Sequence, residues 1–149
     1  MKVKLIETKN PKNIPEILRE KSKEVKKITP EILNLAKQMI RIMNKNNGIG
    51  ISAIQVGVPI QMIVVKNCDQ DFIFFNPKIT SFSKREVVYN EGCLSFPGIF
   101  ENVSRPEKVK IEAKNIDWED TEIEADGILA RCLLHEIDHL VGVLFIDHI

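Results

Sequence analysis

The chain has 149 residues, 44% apolar and 28% charged, and its 21 Lys and Arg balance 21 Asp and Glu. This length and mixture are typical of one globular domain, expected over residues 1–149, and exclude disordered, collagen-like and coiled-coil classes. The zero net charge argues against a dedicated nucleic-acid binder, and no segment approaches the ~18 apolar residues of a membrane span. Three cysteines and no visible secretory signal favour a cytoplasmic protein with reduced thiols.

The first predicted element is a helix over residues 30–46. Thr29 suits its N-cap, Pro30 suits the first helical position, and Asn47-Gly48 ends the pattern. Between these signals, apolar residues recur three and four positions apart, which predicts one apolar stripe along the helix. The polar residues before it predict at most a short helical turn around 16–24.

The middle of the chain predicts short strands. Segments rich in branched and aromatic residues alternate there with turn residues. Asn76-Pro77 is expected to interrupt the strand that precedes it. The predicted strands are 61–66, 71–75, 78–81, 86–89, 109–113 and 121–125, the last two forming an antiparallel hairpin.

A second helix is predicted over residues 127–140, with Asp126 as its N-cap. Its sequence is mostly apolar, so we expect it to be buried rather than to lie on a wet surface. The order of a helix, several antiparallel strands and another helix predicts the α+β class.

The second predicted helix contains His-Glu-Ile-Asp-His at 135–139. His135 and His139 are four residues apart, so they lie on one helix face, about 6 Å apart, where both imidazoles can reach one metal ion. Glu136 is turned roughly 100° away and can reach a water at that ion. The pattern is typical of metal-dependent hydrolases. The alternative is two histidines hydrogen-bonded locally on a surface helix.

Two histidines leave the third metal ligand open. Zinc peptidases with this pattern take it from downstream, but Phe145 stands six residues after His139, and His148 lies close to the end of the sequence. We therefore look upstream, to Cys93 in Asn-Glu-Gly-Cys-Leu-Ser (90–95). One thiolate and two imidazoles would leave a fourth position for water. The alternatives for Cys93 are an inert buried thiol and a nucleophile activated by His135.

Three segments together resemble peptide deformylases, the enzymes that remove the formyl group from the initiator methionine of new bacterial proteins. The first is Gly-Ile-Gly-Ile-Ser-Ala-Ile-Gln at 48–55, against a family pattern of G-x-G-L-A-A-x-Q. The second is Glu-Gly-Cys-Leu-Ser at 91–95, and the third is the histidine motif at 135–139. One such motif is weak evidence, whereas three in this order are specific.

The resemblance implies an α+β fold in which antiparallel β-sheets pack around a central helix carrying H-E-x-x-H, with an N-terminal helix. It implies one metal ion per chain, ligated by Cys93, His135 and His139. Fe²⁺ is the expected ion, and Zn²⁺ or Ni²⁺ can substitute for it. The implied activity is metal-dependent hydrolysis of the N-formyl group of formyl-methionyl nascent polypeptides, which releases formate.

The resemblance also implies roles for individual side chains. Glu136 is expected to act as general base and acid. Gln55 and the backbone N–H of Leu94 are expected to hold the oxyanion that forms on the formyl carbonyl. The residues expected to bind the substrate are Gly48, Ile49, Gly50, Ile128 and Cys132.

Some positions depart from the family pattern or add to it. Ser52 stands for the usual Ala, and Leu134 replaces the Gln that commonly precedes the histidine motif. Phe100 lies where many bacterial members carry a polar or basic residue in the substrate channel. It therefore bears on which substrate residues are preferred after the methionine. Glu91 and Arg105 are expected to pair as a structural support.

The expected partners are formyl-methionyl nascent peptides, with transient ribosome contact and no dedicated nucleic-acid or membrane binding. We expect a monomer in the cytoplasm of a bacterium or of a bacterial virus's host, with an organelle as a further candidate. Two alternative functions remain at this point. One is a metallopeptidase, which lacks its downstream ligand here. The other is a catalytically silent binder of formylated N-termini, which would not need Glu136.

Overall fold

The structure, a computed structural model, describes residues 2–149. Over these residues it has two α-helices, α1 (Pro30–Lys45) and α2 (Gly127–His139), together with seven strands. The strands are β1 (Gly50–Ser52), β2 (Met62–Asn67), β3 (Gln70–Phe82), β4 (Glu86–Cys93), β5 (Phe96–Pro106), β6 (Lys108–Lys114) and β7 (Asp120–Asp126). All strand pairs are antiparallel. The predicted α+β class is therefore confirmed.

Helix α1 begins where the sequence predicts. The Oγ1 atom of Thr29 accepts a hydrogen bond from the backbone N–H of Ile32 over 3.2 Å, so it satisfies one free donor of the first turn. The apolar stripe, which includes Leu35, Met39 and Met43, is buried against the sheet. Burial of this stripe holds the helix in place.

Five strands form one sheet in the order β1-β2-β3-β6-β7. Strand β2 lies within it and is buried on both faces. Met62 and Val64 pack in the cluster that contains α1, whereas Ile63 and Val65 pack in the cluster that contains α2. This double burial explains why the strand reads as a continuous apolar run rather than as an alternation.

The predicted interruption at Asn76-Pro77 is wrong, because β3 continues through it to Phe82. The pairing with β6 shifts register between Phe75 and Lys78, and Asn76 has a φ of 52°. Its side-chain amide donates to the carbonyl of Val25 over 2.7 Å and accepts from the Val25 N–H over 2.8 Å. The turn residues therefore form an irregularity that binds a neighbouring segment instead of ending the strand.

Strands β4 and β5 form a separate two-stranded sheet. The sequence analysis predicted half of β4 and missed β5, which contains Pro97, Gly98 and Pro106. This hairpin covers a third apolar cluster that includes Leu18 and Phe145. Helix α2 packs on the five-stranded sheet and also contacts β5, so it lies between the two sheets.

One ion pair joins two of the three short 3₁₀ turns in the described part of the chain, Glu16–Arg19 and Phe145–His148. The guanidinium of Arg19 donates to both carboxylate oxygens of Asp147, over 2.6 and 3.0 Å, and to the carbonyl of Gly142 over 2.9 Å. Gly142 has a φ of 74°, and a Cβ there would collide with the backbone of Arg19. Among residues 2–149, no helix is long and apolar enough to cross a membrane.

Candidate active site

Three side chains that can ligate a metal meet between α2 and the β4–β5 hairpin. Cys93 ends β4, while His135 and His139 lie in the last turns of α2. Their ligand atoms all lie within 4.8 Å of one another, and Sγ of Cys93 is 3.5 Å from Nε2 of His139. Ligand atoms of a tetrahedral Zn²⁺-type site are about 3.5 Å apart, given bonds of 2.0–2.3 Å. The donor set therefore fits one such ion and leaves a fourth position open.

The orientation of His135 also suits metal binding. Its Nδ1 lies 3.0 Å from Oε1 of Glu91. Because an ionised carboxylate can only accept, Nδ1 carries the proton in a neutral imidazole and Nε2 is left with its lone pair. A carboxylate behind a histidine in this way fixes the tautomer and the ring orientation of metal-ligating histidines.

Glu91 is the centre of a buried ion network. Its oxygens accept from Nε and Nη2 of Arg105, over 2.6 and 3.1 Å, and from Nη1 of Arg131 over 2.5 Å. Burial opposes ionisation of Glu91, but the hydrogen bonds from His135 and Arg105 outweigh it and lower its pKa to about 2. The Glu91–Arg105 pair expected from the sequence is present, and it continues to a histidine of the site.

Glu136 faces the same space from the next position on α2. It is 4% exposed, and its Oε1 accepts a hydrogen bond from the hydroxyl of Ser52 over 2.8 Å. A Cβ at Gly50 would lie 2.7 Å from Oε2, so only glycine lets the backbone pass so close. Burial raises the pKa of Glu136 above its ordinary value, which makes it a stronger base than an exposed glutamate.

Gln55 approaches the donor set from the other side. Its Oε1 accepts from the N–H of Ser52 over 2.9 Å, which fixes the amide so that Nε2 points toward the site. Nε2 lies 3.1 Å from Oγ of Ser95 and 3.5 Å from Sγ of Cys93. Gln55 thus lies beside the sulfur atom, and Leu94 is the residue that follows Cys93 in the chain.

A cavity of about 510 Å³ opens beside these groups. The predicted substrate-binding residues are brought together there: Gly48, Ile49, Gly50, Ile128 and Cys132 all line it. Ile49 and Ile128 are half exposed, while Cys132 is buried and its Sγ lies 3.2 Å from the carbonyl of Ile49. Phe100 lines the same cavity and is 62% exposed. The wall is mostly apolar, with Glu136 and His135 at one side.

Comparison with known proteins identifies the family. The model of the polypeptide deformylase family matches residues 4–149. The chain belongs to the polypeptide deformylase family. A peptide deformylase of Acinetobacter baumannii (strain SDF) is 46% identical over 135 residues, which are 89% of this chain and 77% of that protein.

Solved deformylase structures share the fold. A peptide deformylase from Synechococcus elongatus in complex with actinonin is similar over 99% of this chain and 78% of that chain, with a TM-score of 0.91 and 37% identity. A probable peptide deformylase from Synechococcus phage S-SSM7 is similar over 99% of this chain and 100% of that chain, with a TM-score of 0.90 and 36% identity.

Arg131 is a residue of this deformylase-like site that the sequence analysis missed. Arg131 lines the cavity, is 8% exposed and binds Glu91 directly. A signal for it was present, since a charged residue between Ala130 and Cys132 interrupts the most apolar stretch of α2. Buried arginines are rare unless they are paired, so such a position predicts a buried partner.

Proposed function

We propose that this chain is a peptide deformylase that hydrolyses the N-formyl group of formyl-methionyl nascent polypeptides and releases formate. The observation that carries the proposal is the buried set of Cys93, His135 and His139, with Glu136 beside it in the wall of an apolar cavity. Membership of the polypeptide deformylase family supports the same activity. Helix α2, between the two sheets, is the proposed central helix of the fold.

Peptide deformylases are metal-dependent, and the donor set of this chain fits the requirement. Cys93, His135 and His139 are the proposed ligands, with Fe²⁺ as the proposed ion and Zn²⁺ or Ni²⁺ as substitutes. When bound, a divalent ion here supplies a Lewis acid that polarises the formyl carbonyl and promotes ionisation of water.

Glu136 is proposed to move the proton. Its carboxylate takes a proton from the attacking water, and the same carboxyl group then gives it to the amine nitrogen as the C–N bond breaks. The products are formate and a peptide with a free methionyl amine. Burial, which raises the pKa of Glu136, suits a group that must both accept and release a proton.

Gln55 and the backbone N–H of Leu94 are proposed to stabilise the oxyanion. Two neutral donors that point at the developing charge stabilise it without reorganising during the reaction. The two hydrogen bonds of Gln55, to the Ser52 N–H and to Ser95, support this role because they hold the amide in one orientation.

The cavity is proposed to take the methionine side chain. Ile49, Ile128 and Cys132 offer it an apolar wall, and a flexible thioether fills such a space well. Gly48 and Gly50 keep the backbone close to the substrate. A Cβ at Gly48 would lie 2.8 Å from a methyl carbon of Leu94, so the two segments are in tight contact.

The direct test is formate release from formyl-Met-Ala-Ser by the metal-loaded protein, with acetyl-Met-Ala-Ser as the control. The proposal predicts formate from the formyl peptide and no acetate from the control. Stoichiometric binding of the formyl peptide without formate release would instead favour the silent binder. Cleavage of an internal peptide bond would favour the metallopeptidase.

The proposed preference for Fe²⁺ has its own test. Affinity alone does not select among first-row ions at such a site. The protein is therefore loaded with each ion without oxygen, and turnover per bound ion is compared among the three forms. We expect the Fe²⁺ form to be the most active and to decay in air, since Cys93 is open to oxidation. The Ni²⁺ form should be nearly as active as the Fe²⁺ form and stable in air, and the Zn²⁺ form should have weak activity. Equal, air-stable activity with Zn²⁺ would contradict the iron assignment.

Some expectations stay predictions. They are a single domain over residues 1–149, a monomeric state, transient ribosome contact and a cytoplasmic location.

A further inference from the structure

The proposed metal ligands lie on two separate elements. Cys93 and Leu94 belong to the β4–β5 hairpin, whereas His135, Glu136 and His139 belong to α2. Strands β4 and β5 pair only with each other among residues 2–149, so the hairpin is not held in register by the larger sheet. One backbone bond, from the N–H of Gly127 to the carbonyl of Glu107 over 3.2 Å, ties the end of the hairpin to the start of α2. Along the rest of the hairpin, side-chain contacts hold it against the helix.

Arg131 makes such a contact with both strands of the hairpin at once. Its Nη2 donates to the carbonyl of Val87 on β4 over 2.6 Å, and its Nη1 donates to the carbonyl of Val103 on β5 over 2.9 Å. The guanidinium also lies 5.6 Å from the ring centroid of Tyr89, which pairs with Val103 across the hairpin. A planar fork with several donors can bind acceptors on two strands, which a single ammonium group cannot do in the same geometry.

The same guanidinium reaches the metal ligands through one further residue. Nη1 of Arg131 donates to Oε2 of Glu91, and Oε1 of Glu91 accepts from Nδ1 of His135. Arg131 and His135 are four residues apart on one face of α2, so Glu91 is held by two side chains of the same helix. The position of β4 and the ring of His135 are thereby fixed together.

We infer that Arg131 is a positioning residue that clamps the β4–β5 hairpin to α2 and so sets the distance between Cys93 and the two histidines. The inference rests on the metal site proposed above. Arg105 also pairs with Glu91, so loss of Arg131 does not leave the Glu91 carboxylate without a counter-charge. Variants at position 131 are therefore expected to fold, with a hairpin that is less firmly held.

Two variants and one control separate the clamp from a general effect of charge. Arg131→Lys keeps the charge and loses the fork, whereas Arg131→Met removes both. Arg85→Met is the matched control, because Arg85 precedes the same hairpin and its exposed side chain forms a 3.6 Å pair with Glu107. For each protein, amide hydrogen exchange is measured strand by strand without metal. Co²⁺ affinity is then measured by titration, and the thiolate-to-cobalt absorption band is recorded at saturation.

In both Arg131 variants, we expect the amides of β4 and β5 to exchange at least tenfold faster than in the wild type. The exchange rates of β2 and β3 should be unchanged. Co²⁺ affinity should fall at least tenfold and the absorption band should shift, while Arg85→Met behaves as the wild type. A wild-type spectrum and exchange pattern in Arg131→Lys would overturn the clamp, since charge alone would then suffice. Equally faster exchange in every strand would also overturn it, because Arg131 would then only stabilise the whole fold.

Failure of the metal site itself is recognised separately. If the wild-type protein binds no Co²⁺, the proposed ligand set is wrong. The clamp is then decided by amide exchange alone: faster exchange confined to β4 and β5 supports it, and any other pattern rejects it.

Discussion

The hydroxyl of Ser52 donates a hydrogen bond to Oε1 of Glu136 over 2.8 Å. Both residues are buried, at 0% and 4% exposure, so the bond holds one carboxylate oxygen in place away from solvent. An alanine, which the family pattern quoted above has at this position, cannot make this bond. The serine at position 52 therefore affects the proposed catalytic group Glu136 directly, in addition to the packing of its own segment.

Replacing Glu136 by Gln should abolish most hydrolysis without removing the metal. The amide keeps the shape of the side chain, and its oxygen can still accept from Ser52, but it cannot take a proton from water. Formate release should fall by about 10²–10⁴-fold or more, the usual contribution of a general base. Metal content, measured on the same preparation, should stay at one ion per chain. Loss of the ion would instead make Glu136 a ligand or an essential part of the fold.

Replacing Gln55 by Ala should lower turnover by about 10²–10³-fold, the typical effect of losing one oxyanion donor. Metal content should change far less, because Gln55 approaches Cys93 without belonging to the donor set. Gln61→Ala is a suitable control, since the side-chain amide of Gln61 donates to the carbonyl of Ser22, over 3.3 Å, and lies outside the cavity. If Gln55→Ala and Gln61→Ala have the same steady-state rate, Gln55 has no role in the oxyanion site.

Asp147 should make stability depend on pH in the acidic range. The hydrogen bond from Arg19 lowers the pKa of Asp147 below its ordinary value of 3.8. A carboxyl whose pKa is lower in the folded state adds stability above its unfolded pKa and loses it as the pH falls through the folded value. Asp147→Asn should therefore lower the free energy of unfolding at pH 6, and this difference should shrink below pH 3.8.

Urea unfolding of metal-free protein at a series of pH values measures this effect. Asp120→Asn is the control, because Asp120 pairs with Lys114 over 3.0 Å while its side chain is 91% exposed. Exposed pairs contribute little to stability, so this variant should match the wild type at each pH. A gap between Asp147→Asn and the wild type that stayed constant from pH 6 to pH 2.5 would contradict the role of the Arg19 pair.

Local patterns in the sequence predicted the elements that depend on neighbours in the chain. Helix α1 follows from Thr29 and Pro30 at its start, and the hairpin of β6 and β7 follows from alternation and a turn. Strand β5 was missed because its proline and glycine residues resemble a loop, and only pairing with β4 makes it a strand.

In the candidate site, too, the sequence predicts what depends on neighbours in the chain better than what depends on packing between distant segments. The spacing of His135 and His139 is a property of one helix, so it can be read from the sequence alone. The approach of Cys93 depends on how the hairpin packs. The lack of a downstream ligand made Cys93 a candidate, and the family resemblance then implied its ligand role. The three contacts of Arg131 join α2 to two strands far away in the chain, and no local pattern specifies those partners.

A titration of metal-free protein with Fe²⁺ under exclusion of oxygen tests the central claim most directly. Formate release from formyl-Met-Ala-Ser is measured at each addition. The account predicts that the rate rises in proportion to added Fe²⁺ and reaches a plateau at one ion per chain, and that His139→Ala, with one ligand removed, shows no such rise. Full activity before any metal is added, or no formate release from folded protein that has bound one ion, would contradict it.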